Sequence, residues 1–230
     1  MAIPLTVVCT LIGDKWHPVW VHRLHRMVEE HCSIPFDFRV ITDRPEAFPE
    51  WGVPFSRPIV EVDGVWTKPD RRMMMNIHKP QGCWGKLDSF ILQVNGPIIH
   101  LDLDCVILDD IAPLIRKNLH MPWQGDKFNG SVYSFTPDEW SDMVYPQVIP
   151  YREYPRGEQE YVVDAYPGKV QILHDVYSYK IHVASKYGKQ PPEGARIVYF
   201  HGYPTPATEA VQDLPWINRT WRGLPRVERV

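Results

Sequence analysis

The chain has 230 residues, of which 44% are hydrophobic and 23% are charged, and its formal net charge is −3. These proportions are typical of a globular domain and exclude a disordered or low-complexity protein. The small net charge argues against nucleic-acid binding that depends on bulk positive charge, although it leaves room for a local basic patch.

The cysteines and the hydropathy pattern indicate the compartment. The four cysteines, Cys9, Cys32, Cys83 and Cys105, lie far apart without metal-ligand spacing, so we predict free thiols in a reducing environment. No apolar stretch is long enough to predict a membrane span, and the first residues do not resemble a signal peptide. We therefore expect a cytoplasmic protein.

The first forty residues predict a parallel crossover. Residues 5–10 form a β-rich run, and residues 11–14 follow as a loop at the strand's carboxyl end. Apolar residues recur at helical spacing from Pro18 to Cys32, and residues 36–42 alternate as a second strand. A strand, helix and strand in about forty residues favour an α/β fold with a mostly parallel, Rossmann-like central sheet flanked by helices.

The stretch from residue 96 to residue 110, GPIIHLDLDCVILDD, predicts the central strand. Its apolar run, Ile98–Leu101, is bounded by turn signals and is typical of a strand buried on both faces. Strict strand geometry would place Asp102 and Asp104 on the same face, where both could bind one Mg²⁺ or Mn²⁺ ion. The residues leave open the alternative that the aspartates cap a helix or pair with lysine or arginine.

The segments on either side of this strand are irregular or helical. Residues 45–82 are rich in proline, glycine and charge, and we interpret them as a flap or an acceptor-side excursion, with a plain surface loop as the alternative. The pattern from Trp84 to Val94 predicts a helix that presents Lys86 and Asp88 at the sheet's carboxyl edge.

Strands and helices are also predicted in the second half of the chain. We predict a strand within residues 128–135, a helix over 138–144, a short helix over 157–163, and a strand over 197–201. Glu158 and Gln159 begin the short helix, and His201 ends the last strand. A histidine at a strand end is a candidate metal ligand, although such residues are more often hydrogen-bonded structural histidines.

An ordered set of motifs resembles bacterial and phage glycosyltransferases related to family 8. The motifs are Trp84-Gly-Lys-Leu87, His100-Leu-Asp-Leu-Asp104, Asn129-Gly-Ser-Val132, Glu158-Gln159, Ser178-Tyr-Lys180 and Phe200-His-Gly-Tyr-Pro-Thr-Pro206. The resemblance implies a single GT-A-like domain over residues 1–230, with residues 207–230 as a carboxyl-terminal extension. It also implies a nucleotide-sugar donor, a UDP-sugar in particular, and transfer with retention in a bacterial cytoplasm or a phage-infected host.

The resemblance assigns roles to residues in three groups. The metal ligands for Mn²⁺ or Mg²⁺ would be Asp102, Asp104 and His201. The catalytic group would comprise Gln159, Glu158 and Lys86. Donor-binding residues would be Thr10, Leu11, Ile12, Gly13, Lys86, Asp88, Leu103, Asn129, Gly130, Lys180 and Gly202.

Two departures from the family pattern keep other functions open. Glu158 stands where relatives have aspartate, and Thr205 stands where relatives often have a phosphate-binding lysine, which Lys180 or Lys86 would replace. A degenerate nucleotide-sugar-binding protein is therefore one alternative. A metal-dependent nucleotidyltransferase is another, but no glycine-rich basic loop follows the first strand.

The acceptor is left open by the sequence: a glycan, a lipid-linked sugar or a modified DNA base would each be compatible with the motifs. A phage-type transferase acting on hydroxymethylated bases would need basic side chains at the DNA. The face carrying His22, Arg23, His25 and Arg26, or the pair Arg71-Arg72, could supply them.

Overall fold

The computed structural model describes residues 4–55, 60–62, 65–67, 82–137, 154 and 157–221. Its strands are β1 (Leu5–Leu11), β2 (Phe36–Thr42), β3 (Gly52–Pro54), β4 (Val60–Val62), β5 (Val65–Thr67), β6 (Ile98–Leu101), β7 (Cys105–Ile107), β8 (His120–Met121), β9 (Val132–Phe135), β10 (Gln171–Ile172), β11 (Val176–Ser178) and β12 (Ile197–Tyr199). Its α-helices are α1 (Val19–His31), α2 (Gly82–Gly85), α3 (Glu158–Ala165), α4 (Glu209–Gln212) and α5 (Pro215–Trp221). A π-helix covers Tyr179–Ala184, and 3₁₀ turns cover Pro45–Ala47, Lys86–Phe90 and Ala112–Leu114.

The predicted crossover and parallel sheet are confirmed. Strand β1 pairs in parallel with β2 on one side and with β6 on the other, and β3 continues the sheet in parallel with β2. The complete order is β10-β8-β9-β6-β1-β2-β3, with β9 antiparallel to its neighbours β6 and β8, and β10 parallel to β8. The architecture is a mixed α/β fold with a large, mostly parallel sheet.

The core lies on both faces of this sheet because β1 alternates between them. Leu5, Val7, Cys9 and Leu11 belong to the apolar cluster that includes the buried face of α1, whereas Val8 belongs to a second cluster with Trp84 and Phe90. Residues Ile98–Leu101 are fully buried, as predicted for the central strand. The four cysteines are free.

A second, three-stranded sheet has the order β11-β12-β7. Strand β7 follows β6 after only residues 102–104, so the chain passes from the large sheet to the small one at the two aspartates. Strand β12 pairs antiparallel with β7, and Phe200 N donates to Asp104 O at 3.3 Å. This pairing brings the carboxyl end of β12 to the aspartates.

Several predicted boundaries change. The helix expected over Trp84–Val94 is a short α-helix that tightens into a 3₁₀ turn and ends at Phe90. Val94 still packs against the apolar cluster, but it does so from the irregular connection to β6. The strand predicted within residues 128–135 begins at Val132. The helix predicted over residues 138–144 lies outside the described residues, as does much of the segment 45–82. None of the described helices is long and apolar enough to cross a bilayer.

A buried hydrogen bond ties β1 to β6 at the edge where the aspartates emerge. His100 is fully buried, and its Nε2 lies 3.1 Å from Thr10 Oγ1. Burial, together with the charge of Lys86, lowers the pKa of His100 well below its ordinary value, so the imidazole is neutral. The Thr10 hydroxyl is therefore engaged in the fold.

We expect Thr10→Val to lower the free energy of unfolding by about 1–3 kcal/mol, because the buried imidazole loses its hydrogen-bond partner. Thr10→Ser keeps the hydroxyl and should lose much less. Urea denaturation of both variants tests this, and equal losses in the two would show that the hydroxyl contributes nothing.

Candidate active site

The two aspartates lie in a turn, which corrects the strand geometry assumed from the sequence. Strand β6 ends at Leu101, Asp102 N donates to Ser131 O at 2.8 Å, and Cys105 N donates to Asp102 O at 3.1 Å. The turn forms because the chain leaves the large sheet here to begin β7. The two carboxylates consequently occupy different environments.

Asp104 is the more enclosed of the two carboxylates. The residue is 6% exposed, whereas the Asp102 side chain is 22% exposed. Burial and then the negative charge of Asp102 raise the pKa of Asp104 to about 7, against the opposing effects of Lys15 and Lys86. Asp104 is thus an enclosed carboxyl group next to a second carboxylate.

Lys86 is bound at the centre of the site. Its Nζ lies 2.7 and 2.9 Å from the two carboxylate oxygens of Asp102, 3.0 Å from Gly130 O and 3.3 Å from Glu158 Oε1. Burial lowers the pKa of Lys86, but Asp102 and Glu158 outweigh burial and hold that pKa above its ordinary value. Lys86 is therefore a charged, enclosed residue and not a solvated surface lysine.

Glu158 faces this lysine from the first turn of α3. It is 2% exposed, and Tyr133 Oη donates to its Oε1 at 3.0 Å. Burial raises the pKa of Glu158, Lys86 opposes that shift, and Asp102 adds to it. The carboxylate is committed to Tyr133 and Lys86, so it is not open to a ligand.

Gly130 is the point at which the predicted catalytic group converges. Its carbonyl accepts from Lys86, and its N–H donates to Gln159 Oε1 at 2.9 Å. A side chain here would collide with the ends of the Glu158 and Tyr133 side chains, so a larger residue would displace them. Gln159, unlike Glu158, is only partly buried. The structure brings together Lys86, Glu158 and Gln159, which the motifs singled out. Tyr133 was missed because its buried strand position suggested core packing.

His201 reaches the same region from β12. Its Nε2 lies 2.8 Å from Ser178 Oγ, and burial, followed by the charges of Lys180 and Lys127, lowers its pKa. The imidazole is neutral, which is the form that binds metals. Among the described residues, however, no three His, Cys, Asp or Glu side chains are grouped to hold a metal ion, so Asp102, Asp104 and His201 do not form a preformed triad.

Two further predicted donor residues lie beside His201. Gly202 has a left-handed φ of +72°, and a Cβ built on it would lie 3.6 Å from Lys180 Nζ. Thr205 N donates to Thr208 Oγ1 at 2.9 Å in the turn that precedes α4. Thr205 therefore has a structural partner, and Lys180 is the cation near this loop.

The remaining predicted donor residues separate into buried and loop positions. Leu11, Asp88 and Leu103 are 0%, 3% and 3% exposed, so their side chains are enclosed in the fold. Gly13 has a left-handed φ of +70°, its N–H donates to Asp43 Oδ2 at 3.2 Å, and its carbonyl accepts from Arg44 at 2.8 Å. This bracing of the loop after β1 was not predicted.

Two other donor candidates contact neighbouring segments. A Cβ on Gly85 would collide with Ile12, so that loop packs directly on α2. Asn129 is 7% exposed, and its Oδ1 accepts from Ser131 N at 2.9 Å, which shapes the turn that precedes β9.

The basic face proposed for DNA contact is largely packed into the fold. Arg23 is 5% exposed, and burial followed by the charge of Arg26 lowers its pKa to about 10. The His25 ring stacks on Trp51 with centroids 4.2 Å apart, and Arg26 donates to Thr220 O at 2.5 Å. Arg23 and His25 therefore do not present their side chains as an exposed basic face. Arg71 and Arg72 lie outside the described residues.

Comparison with known proteins gives a likeness in structure only. No family model and no curated protein matches the sequence. The galactosyltransferase LgtC, solved with donor and acceptor sugar analogues, matches over 97% of each chain at 12% identity and a TM-score of 0.62. An active-site mutant of LgtC matches over the same shares at 10% identity and 0.57. Glycosyltransferase GlyE of Streptococcus pneumoniae matches over all of this chain and 67% of that one, at 14% identity and 0.59.

These likenesses define the fold class. The chain has the GT-A-like fold of glycosyltransferases, as the sequence motifs implied. At 10–14% identity a shared architecture identifies the fold alone. The reaction has to be argued from the side chains that converge near Gly130 and the two aspartates.

We expect Lys86→Met to lower the free energy of unfolding by about 3–5 kcal/mol near neutral pH, because buried carboxylates lose their cation. The folded-state pKa of Glu158 is already raised, so its contribution to stability is present at low pH and lost as the pH rises through that pKa. The destabilisation should consequently be larger at about pH 8 than at about pH 5.

Urea denaturation at both pH values tests this expectation. Lys186→Met, at an exposed lysine, is the matched control and should change little at either pH. A loss for Lys86→Met that is the same at both values would remove the carboxylates from the explanation.

Proposed function

We propose that the protein is a metal-dependent glycosyltransferase that moves a sugar from a nucleotide-sugar donor, a UDP-sugar, to an acceptor with retention. One observation carries the proposal: Asp102, Asp104, Lys86 and Gln159 meet at the carboxyl edge of the central strands in a GT-A-like fold. Ligands bind at this edge in open α/β sheets.

The residues fit a hard divalent cation. Asp104 is a buried carboxylate beside a second carboxylate, and among the described residues no lysine or arginine forms an ion pair with it. Carboxylate oxygens are the preferred ligands of Mg²⁺ and Mn²⁺, and neutral His201 could complete the set after leaving Ser178. When bound, the cation would act as a Lewis acid that stabilises charge on the leaving diphosphate.

The chain's own cations would share the task of binding the diphosphate. Lys86 is positioned by Asp102, Gly130 and Glu158, and Lys180 lies next to Gly202. Lys180 would thus supply the charge that relatives place at the position of Thr205. Fixed cations of this kind stabilise developing negative charge without having to reorganise during the reaction.

Gln159 and Glu158 would have different roles. Gln159 is partly exposed and is oriented by Gly130 N, so its amide can lie beside the donor sugar. Glu158 is enclosed and contacts Lys86, which makes it a positioning residue. The additional methylene of Glu158, compared with the family's aspartate, lets the carboxylate reach Lys86 and Tyr133.

We expect Asp102→Asn and Asp104→Asn each to abolish Mn²⁺-dependent hydrolysis of a UDP-sugar while the protein remains folded. UDP should also bind wild-type protein tightly only with Mn²⁺, since the diphosphate otherwise faces two carboxylates. Calorimetry with Mn²⁺ and with EDTA measures this dependence. Full turnover in both variants, or equal UDP affinity in EDTA, would contradict the metal assignment.

We expect Gln159→Ala to lower the turnover number by about ten- to a hundredfold with UDP affinity unchanged, because its amide acts on the sugar. Glu158→Gln should instead weaken UDP and UDP-sugar binding equally, by about three- to tenfold, because Lys86 loses the carboxylate that holds its ammonium in position. Kinetics and UDP titration separate the two. An effect of Glu158→Gln on UDP-sugar but not on UDP would place Glu158 at the sugar.

A further inference from the structure

A groove with a volume of about 630 Å³ lies along the β8–β10 edge of the large sheet, outside the cluster around Lys86. Trp123 and Ile172 line it and are 36% and 42% exposed. Trp123 is held edge-on to Phe128, with ring centroids 5.0 Å apart. The groove therefore presents a fixed aromatic surface to solvent.

The sheet topology places one end of this groove at the sheet edge that carries the proposed transfer site. Strand β9 is antiparallel to both β6 and β8, so β6 and β8 run in the same direction and end at the same edge. Asp102 follows β6, and Trp123 follows β8 two residues after Met121. Phe128, in the groove wall, directly precedes Asn129 and Gly130. The end of the groove that Phe128 and Trp123 form is therefore the end nearer Gly130.

The polar side chains that line the groove include one permanent cation, Arg116, and two histidines. Arg116, His120 and His174 line it, and no acidic residue does so within the described part of the chain. Arg116 NH1 donates to Pro113 O at 2.6 Å and to Ile115 O at 2.8 Å, which fixes the guanidinium. His120 Nδ1 donates to Asn118 O at 2.9 Å, so Nε2 is the ring nitrogen left for a ligand. The groove combines an anion-binding group with an acceptor for a hydroxyl hydrogen.

We propose that this groove binds an acidic saccharide, one bearing a carboxylate or phosphate, as part of the acceptor. The proposal rests on the proposed function and names the acceptor class. The apolar face of a sugar ring would stack on Trp123, the acidic group would bind Arg116, and a hydroxyl would donate to His120. Arg116 is the only permanent cation lining the groove in the described residues, whereas nucleic-acid affinity depends on many phosphate contacts.

The test measures binding of the full chain to disaccharides that end in glucuronic acid, N-acetylneuraminic acid or a sugar phosphate, and to their neutral parents. At least one acidic member should bind about tenfold more tightly than its neutral parent. Arg116→Gln should remove that preference, and Trp123→Ala should weaken acidic and neutral members alike, with partial recovery in Trp123→Phe. The matched controls are Arg39→Gln, at an arginine whose side chain is 40% exposed, and Tyr187→Ala, at an exposed tyrosine.

Four outcomes would overturn the proposal: no binding by any member, equal binding of acidic and neutral members, an unchanged preference in Arg116→Gln, or tighter binding of single-stranded DNA that Arg116→Gln weakens.

UDP-sugar hydrolysis without acceptor is measured in parallel. It should be unchanged in the groove variants, because the groove residues are outside the Lys86 cluster. Absent hydrolysis in the wild-type protein would count against the proposed function, while the saccharide titration would still decide the groove.

Discussion

The contact of the Lys86 ammonium with Asp102, Glu158 and Gly130 is the interaction on which the arrangement of the candidate site depends. It joins the 3₁₀ turn before β6, the turn after β6, the start of β9 and the first turn of α3. One cation here faces two carboxylates, with Asp104 close by. Burial, followed by the negative charge of Asp102, raises the pKa of Asp104. A buried carboxylate beside a second carboxylate suits the divalent cation of the proposed reaction.

The position of this cluster follows from the way the two sheets are joined. The chain leaves the large sheet at Leu101 and enters the small sheet at Cys105, so the aspartates lie at the junction. Strand β12 pairs with β7 and brings His201 to the same junction, and the π-helix after β11 brings Lys180 beside Gly202. The site is therefore assembled from residues of both sheets, and their relative positions depend on how the two sheets are joined.

The two departures from the family pattern acquire physical explanations. Glu158 is long enough to reach Lys86 and Tyr133 within a buried space that Gly130 leaves open. Thr205 is engaged with Thr208 in the turn before α4, while Lys180 lies near the adjacent loop. In the proposed function these departures redistribute the phosphate-binding charge among Lys86, Lys180 and the metal. A degenerate, inactive site is then not required to explain Thr205.

The sequence by itself determined the crossover, the buried central strand and the short helix that begins at Glu158, because burial along a strand or helix is periodic in the chain. It also located the segments that converge on the site. Only the tertiary structure decided that Asp102 and Asp104 lie in a turn and that Lys86 is enclosed. It alone placed Tyr133 against Glu158 and Arg23 in the interior. These outcomes depend on distances between residues far apart in sequence, and periodicity carries no information about such distances.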